Sequence, residues 1–436
     1  MKKLITLILC LTLLGATAQE RQIVFEEYDL DNGLHVILHQ DNTTPIIAVS
    51  SMYHVGSKDE EVDKTGFAHF FEHVASEKSK NIPLGAFETY VSEAGGARNA
   101  STGFDRTYYY ELLPSNQLEL GLWMESERMF HMLVDSGVVK TQREVVKEEK
   151  RQRNDNQPYG TLITEILKRS FKKHHYRWPP IGSMKHLDEA TMEDFLAFKT
   201  KYYQPNNAVL SIAGDIEIEK TKELVELYFG EFEKGPEVVR EKILEPEQTV
   251  EVVDTVYDNV QLPALIMAYH TPAVGAEDYY AMNVLNLILS NGESSRMNRK
   301  LVDETQLAVF AGAFDLAAED PSITLAFAIA NAGTNLSELQ EAMQTEIDGM
   351  KEILVSEKEF QKVKNQLEND FISGNASIAG IAESLADYYL IRSSTNLVNT
   401  ELAQFLAVTR EDVKRVANKY LKDTNRVVLY WLPSTQ

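Results

Sequence analysis

The sequence predicts an α+β protein built from two similar halves. With 436 residues the chain is longer than one hydrophobic core usually organises, so two or more domains are expected. Strand-like and helix-like segments mix without a strict β–α–β order, which favours a mixed or antiparallel sheet with helices on one side. A segment near the middle of the chain also recurs near the C-terminus.

The recurring segment supports a duplicated domain. Residues 191–210 and 409–428 align without a gap, and seven of the twenty positions are identical. Each copy has a threonine before acidic residues, typical of a helix start, then a polar turn with asparagine and a β-branched strand. Convergent helix–turn–strand chemistry is the alternative, but the shared offset favours duplication. We expect one domain over 19–233, a charged linker over 234–248 and a second domain over 249–436.

Residues 1–18 have the pattern of a secretory signal peptide. Lys2 and Lys3 precede an apolar run from Leu4 to Leu14, and Ala16-Thr17-Ala18 offers small residues for cleavage. A short anchor left in place is the alternative. Cys10 is the only cysteine, so the mature chain would have no disulfide and no thiolate ligand or nucleophile. We therefore expect a periplasmic or extracellular protein of a bacterial envelope.

The charge of the chain excludes anionic partners. The formal net charge is −23 at pH 7, and such a surface repels nucleic acid and anionic lipid. After the signal peptide, no stretch approaches the roughly 18 uninterrupted apolar residues of a membrane span. We expect neither nucleic-acid binding nor a span in the mature chain.

The segment His69-Phe70-Phe71-Glu72-His73 carries the strongest chemical signal. On a helix, residues four apart share a face, so His69 and His73 can bind one Zn²⁺. Glu72 would lie beside the metal, where a carboxylate can act as general base towards a water. The order HxxEH is the inverzincin signature. So short a motif also arises by chance, and two helix histidines beside a surface glutamate are the alternative.

A catalytic zinc site usually has a third protein ligand. With no cysteine in the mature chain, this ligand must be a carboxylate or another histidine. The predicted helix over residues 141–150 is rich in acids. Most of those acids are expected to be solvated.

Several further segments resemble those of the pitrilysin/insulinase family, which includes the mitochondrial processing peptidases. They are Gly56–Glu60, Lys64–His73, Gly95–Ala100, Asp105–Pro114, Tyr176–Gly182 and Tyr203–Asp215. The resemblance covers nearly all of the chain after the signal peptide. It implies two homologous α+β domains facing each other as a clamshell. It also implies a zinc endopeptidase that cleaves peptides or unfolded polypeptides.

The resemblance also implies roles for individual residues. The third ligand of the single Zn²⁺ would be Glu149, with Glu148 as the alternative. Glu72 would be the general base. Asn99 and Ala100 would lie on an edge strand that pairs with the backbone of the substrate.

Three positions depart from the family pattern. Gln142 stands where a supporting glutamate is common, and it cannot supply that charge. Val302 and Val309 stand where complete members have an Arg and a Tyr that stabilise the substrate carbonyl. An oxyanion donor contributes several kcal/mol to transition-state stabilisation, so its loss needs an explanation.

Three interpretations follow from those departures. The favoured one is the zinc-bearing subunit of a heterodimer, whose homologous partner supplies the Arg and Tyr. The second is an autonomous or homodimeric peptidase that uses Arg296, Tyr279 or Tyr280 instead. The third is a non-catalytic binding or assembly subunit that keeps a zinc site.

Overall fold

A computed structural model describes residues 22–434. The predicted signal peptide, residues 1–18, lies outside the described residues. Within 22–434 the chain forms two β-sheets, each with its own set of helices. No helix in this part of the chain has the length and apolarity needed to cross a bilayer.

The first sheet belongs to the N-terminal half, and its strand order is β1-β2-β6-β3-β5-β4. All neighbouring strands are antiparallel except β2 and β6. Its strands are β1 (Glu26–Asp29), β2 (His35–Gln40), β3 (Ile46–Tyr53), β4 (Ala97–Thr102), β5 (Thr107–Pro114) and β6 (Ala208–Gly214). The helices of this half are α1 (Phe67–Ala75), α2 (Ala86–Glu93), α3 (Leu118–His131), α4 (Ser136–Lys150), α5 (Leu162–Ser170), α6 (Met184–Glu189), α7 (Met192–Tyr202) and α8 (Ile218–Phe229).

The second sheet has the order β7-β11-β8-β10-β9. Its strands are β7 (Val252–Asp258), β8 (Ala264–Thr271), β9 (Ala308–Asp315), β10 (Ser322–Ala330) and β11 (Arg426–Pro433). The helices are α9 (Tyr279–Ser290), α10 (Leu336–Glu352), α11 (Glu357–Gly374), α12 (Ile378–Arg392), α13 (Leu397–Ala407) and α14 (Arg410–Tyr420). The order matches β2-β6-β3-β5-β4 strand for strand, including the single parallel pair. The predicted fold class is therefore confirmed.

The sequence repeat forms the same unit in both halves. Thr191 and Thr409 cap α7 and α14, each accepting a hydrogen bond from the amide three residues later. Beyond each helix, the side-chain amides of Asn207 and Asn425 donate to a helix carbonyl five residues earlier, both at 2.8 Å. These bonds fix the turn into the central strands β6 and β11. The identical threonine, aspartate and asparagine therefore make the same cap and turn contacts in both halves.

The two halves exchange one helix each. On β2 and β3, alternate residues face the half's own helices, and the residues between them face α12 of the other half. Ile381 and Leu385 of α12 belong to that second core. In return, Ile166 and Leu167 of α5 pack on β8 and β11 of the second sheet. Each half's own helices therefore cover one face of its sheet, and the other half covers the opposite face.

The predicted linker connects these interlocked halves. Residues 234–248 contain neither helix nor strand and lie between α8 and β7. The segment is held by contacts: the Glu245 carboxylate accepts hydrogen bonds from the backbone amides of residues 172–174, at 2.7–2.9 Å. Two of the four hydrophobic cores lie within one half each, and the other two, around α5 and α12, combine residues of both halves.

Candidate metal centre

Helix α1 presents the predicted metal motif on its less buried face. Phe70, Phe71 and Val74 are fully buried, whereas His69, Glu72 and His73 are partly exposed. The helix is preceded by Gly66 at φ +92°, and a Cβ there would lie 3.0 Å from the Ile181 carbonyl oxygen. Glycine is therefore favoured at this turn by both conformation and space. The apolar face fixes the rotation of α1, which points both imidazoles to one side.

A buried carboxylate holds the N-terminus of α1. Glu60 accepts hydrogen bonds from the amides of Gly66 (2.9 Å) and Ala68 (2.8 Å) and from the Trp178 indole (3.0 Å). A negative charge here pairs with the free amides and the positive end of the helix dipole. Burial nevertheless raises the pKa of Glu60 to about 8.

A buried arginine holds the other end of α1. The Arg128 guanidinium donates to the Ala75 carbonyl at 3.0 Å, in the last turn of the helix. It also pairs with Glu111 at 3.0 Å and Glu125 at 2.9 Å, and all three side chains are at most 1% exposed. Burial, followed by the charge of Glu125, raises the pKa of Glu111. Helix α1 is thus anchored at both ends by buried ionisable side chains that the sequence alone does not single out.

Helix α4 brings the third candidate ligand to the motif. Gln142, Val146 and Glu149 share the inward face of this helix, while Glu148 is exposed. The Glu148 carboxylate accepts hydrogen bonds from Arg151 and Gln152, away from the histidines. Of the two glutamates considered from the sequence, Glu149 is the one that the structure places against them.

The ligand atoms of His69, His73 and Glu149 all lie within 4.8 Å of one another. The Glu149 Oε2 atom is 3.3 Å from His73 Nε2 and 3.7 Å from His69 Nε2. Tetrahedral zinc with bonds of about 2.0–2.1 Å would separate neighbouring ligand atoms by about 3.3 Å. Two imidazoles and one carboxylate also form a ligand set that zinc accepts. The residues present therefore fit the metal that the motif predicts.

The three groups perturb one another strongly. Burial and the nearby His73 lower the pKa of His69 to about 4. For His73, burial opposes protonation, but the hydrogen bond to Glu149 and the charge of Glu72 outweigh it and raise the pKa. The same hydrogen bond lowers the pKa of Glu149, whose other oxygen pairs with Arg153 at 2.6 Å. A proton and a cation would compete for these atoms, so acid should weaken metal binding.

Glu72 lies next to these groups and is held from the first sheet. Its carboxylate accepts a hydrogen bond from the Thr102 hydroxyl at 2.5 Å. Burial, as the largest effect, raises the pKa of Glu72. The sequence alone does not single out Thr102, although it follows Ala100 at the two-residue spacing of one strand face.

Strand β4 forms one edge of the first sheet and contains Asn99 and Ala100. Among the described residues it pairs with β5 alone, so its outer edge is open to another strand, and there the Ala100 amide donates to the Asn99 side-chain oxygen at 2.9 Å. Asn99 is exposed and Ala100 is partly buried. The strand ends at Thr102, the residue that holds Glu72.

Val302 and Val309, which stand where the family pattern has an Arg and a Tyr, lie in the C-terminal half. Val302 packs against the core of that half, and Val309 is exposed on the edge strand β9. The substitutes considered from the sequence are engaged elsewhere. Arg296 forms a two-pronged ion pair with Glu359, at 2.8 and 2.9 Å.

The two tyrosines are also engaged within the C-terminal half. The Tyr280 hydroxyl donates to Glu401 at 3.3 Å and accepts from Arg392 at 3.2 Å. The ring of Tyr279 packs edge-on against Phe405. The Tyr280 hydroxyl is therefore occupied by Glu401 and Arg392, whereas Tyr279 is held by its ring and is partly exposed.

Comparison with known proteins identifies the family. The model of the insulinase family, peptidase family M16, matches residues 35–180, and the model of the peptidase M16 inactive domain matches residues 189–367. The zinc protease PqqE of Helicobacter pylori is 32% identical over 429 residues, covering 97% of this chain and 96% of that protein. The probable mitochondrial-processing peptidase subunit beta of Schizosaccharomyces pombe is 23% identical, covering 92% and 90%.

Solved structures agree with the sequence comparison. The crystal structure of a protease from Helicobacter pylori has a TM-score of 0.90 and 31% identity, covering 94% of this chain and all of that one. A peptidase M16 inactive domain from Pseudomonas fluorescens shares the fold, with a TM-score of 0.83 and 17% identity over 94% and 98% of the two chains. The chain therefore belongs to peptidase family M16, the insulinase family, as its sequence motifs indicated.

Proposed function

We propose that this chain is a zinc-dependent endopeptidase in which His69, His73 and Glu149 bind one Zn²⁺ and Glu72 is the general base. The observation that carries the proposal is the convergence of three ligand atoms from two helices within 4.8 Å. Zinc, when bound, lowers the pKa of a coordinated water to about 7 and polarises a carbonyl. Relatives named zinc proteases support this assignment.

Glu72 would transfer the proton of the reaction. Its partly exposed carboxylate lies on the same face as the two histidines, and Thr102 fixes one oxygen. The other oxygen is left to accept a proton from water and pass it to the leaving amine. The raised pKa of Glu72 favours its role as a proton carrier between these two steps.

Strand β4 would hold the substrate. An extended peptide added to this edge would replace the Asn99 side chain as the acceptor for the Ala100 amide, form backbone hydrogen bonds along both residues and reach Thr102 and Glu72. Backbone pairing requires an unfolded segment, so peptides or unfolded polypeptides are the substrate class. The N-terminal signal pattern supports action in the periplasm or outside the cell.

The valines at 302 and 309 favour a two-chain enzyme. Neither can donate a hydrogen bond to the substrate carbonyl, and the Arg296 guanidinium and the Tyr280 hydroxyl are engaged within their own half. A homologous subunit carrying the Arg and Tyr would complete the site. Several relatives are named as beta subunits of mitochondrial-processing peptidases, which agrees with such a pairing.

Mixing experiments test the two-chain arrangement. The purified zinc-loaded chain is expected to cleave a quenched fluorescent peptide at least about 10²-fold more slowly than the chain co-expressed with a homologue that has the Arg and Tyr, because one oxyanion donor contributes about that factor. Activity should co-elute with the heterodimer in size-exclusion chromatography. Full activity of the chain alone, as monomer or homodimer, would contradict this arrangement.

Paired substitutions on α4 test the third ligand. Glu149→Ala is expected to weaken zinc binding by more than the roughly 10–100-fold typical of residues that only support a ligand. Glu148→Ala, one residue away and pointing to solvent, should leave zinc binding unchanged. Competition with a chromophoric chelator measures both. Equal losses in the two variants, or none in Glu149→Ala, would remove Glu149 from the site.

A further inference from the structure

We propose that Glu77 is a positioning residue that acts through Gln142 to fix the orientation and tautomer of His73. The inference rests on the proposed metal site and adds a residue to it. Gln142 occupies the position where the family commonly has a glutamate. Here the negative charge belongs to Glu77, which is connected to His73 through one additional hydrogen bond, from Gln142.

Gln142 connects His73 to Glu77. Its Oε1 atom lies 3.3 Å from His73 Nδ1, and its Nε2 donates to Glu77 Oε1 at 2.7 Å. The glutamine side chain is buried between α1 and α4. His73 and Gln142 are 69 positions apart in the chain, and Gln142 and Glu77 are 65 positions apart.

The chemistry of the three groups determines the direction of each bond. A carboxylate only accepts hydrogen bonds, so the amide nitrogen of Gln142 must face Glu77. The amide oxygen then faces the imidazole, and because this oxygen only accepts, His73 must carry a hydrogen on Nδ1. In the metal-free chain Nε2 donates its hydrogen to Glu149, 3.3 Å away, so a bound metal would take the place of that hydrogen while Nδ1 keeps its own. The neutral tautomer with its hydrogen on Nδ1 is the one able to bind the metal.

Glu77 would also make His73 a stronger ligand. Its charge polarises the amide of Gln142, which increases the electron density that the imidazole offers at Nε2. The other histidine lacks such support: among residues 22–434, the buried Nδ1 of His69 has no hydrogen-bond partner. Of the two histidines, His73 is therefore the one oriented through its Nδ1 atom, by Gln142 and Glu77.

Exchanging the side chains of Glu77 and Gln142 tests this relay, that is, the action of Glu77 on His73 through Gln142. Glu77→Gln is expected to weaken zinc binding about 10–100-fold, the range for residues that support a metal-bound histidine. The double variant Glu77→Gln/Gln142→Glu puts the carboxylate directly against His73 and keeps a donor at position 77. It should restore zinc affinity to within a few-fold of the wild type. Glu144→Gln, on the exposed side of α4, is the matched control.

The measurements separate this role from simple packing. Zinc affinity is measured by chelator competition, and the tautomer of His73 by ¹⁵N NMR of the imidazole in the metal-free chain at a pH where His73 is neutral. Loss of the Nδ1-protonated signal in Glu77→Gln and its return in the double variant are expected. Unchanged zinc affinity in Glu77→Gln, or no recovery in the double variant, would overturn the relay. If the wild type itself bound no zinc, the proposed function would fail instead.

Discussion

Glu72→Gln is expected to abolish peptide cleavage while zinc remains bound. Glutamine keeps the size of the side chain and can still contact Thr102, but it cannot take a proton from water. General base catalysis contributes about 10²–10⁴-fold, so cleavage by the assembled enzyme should fall by that factor. Zinc content should not change, since the three proposed ligands are untouched.

The experiment requires the chain together with its activating partner, and Glu148→Gln is the control on the solvent-facing side of α4. Initial rates with a quenched peptide and zinc per chain by atomic absorption are the readouts. A Glu72→Gln enzyme that cleaves at the wild-type rate would place the base elsewhere. A wild-type chain that binds zinc but cleaves nothing with any homologous partner would favour the non-catalytic subunit.

Arg128→Met is expected to destabilise the metal-free chain by about 3–5 kcal/mol, the cost of breaking a buried ion pair. The substitution leaves Glu111 and Glu125 buried beside each other without their cation. It also removes the donor to the Ala75 carbonyl, so the last turn of α1 loses its anchor. Zinc binding should weaken with it, because His73 lies in that turn.

The destabilisation by Arg128→Met should depend on pH. The folded-state pKa of Glu111 is already raised above its unfolded value, and losing the arginine raises it further. A group with a raised pKa stabilises the fold when protonated, and this contribution is lost as the pH rises. The loss of stability should therefore be larger at about pH 8 than at about pH 5.

Urea unfolding of the metal-free variants at both pH values measures these effects. Arg151→Met is a suitable control, since Arg151 and its partner Glu148 are both exposed. An exposed pair of this kind contributes about 0–1 kcal/mol. If Arg128→Met were no more destabilising than Arg151→Met, or if its effect did not change with pH, the buried network would not be what anchors α1.

The sequence by itself determined the features that depend on local spacing. His69, Glu72 and His73 share a face because residues three and four apart on any helix do so. The repeated caps and turns predicted two similar halves, and the structure shows them. Resemblance to a family was needed for Glu149, because nothing in the local pattern of an acid-rich helix distinguishes it from Glu148.

Tertiary structure alone decided which residues surround the helix face that carries His69, Glu72 and His73. Thr102 contacts Glu72 although the two are 30 positions apart in the chain, and Glu77 contacts Gln142 although they are 65 positions apart. The exchange of α5 and α12 between the halves was likewise absent from the sequence pattern, since an apolar helix face does not specify which sheet it covers. Periodicity fixes which side of an element is apolar or charged. Which elements those sides meet is set by long-range packing, and that packing brings Glu149 to the five-residue motif as a candidate third ligand.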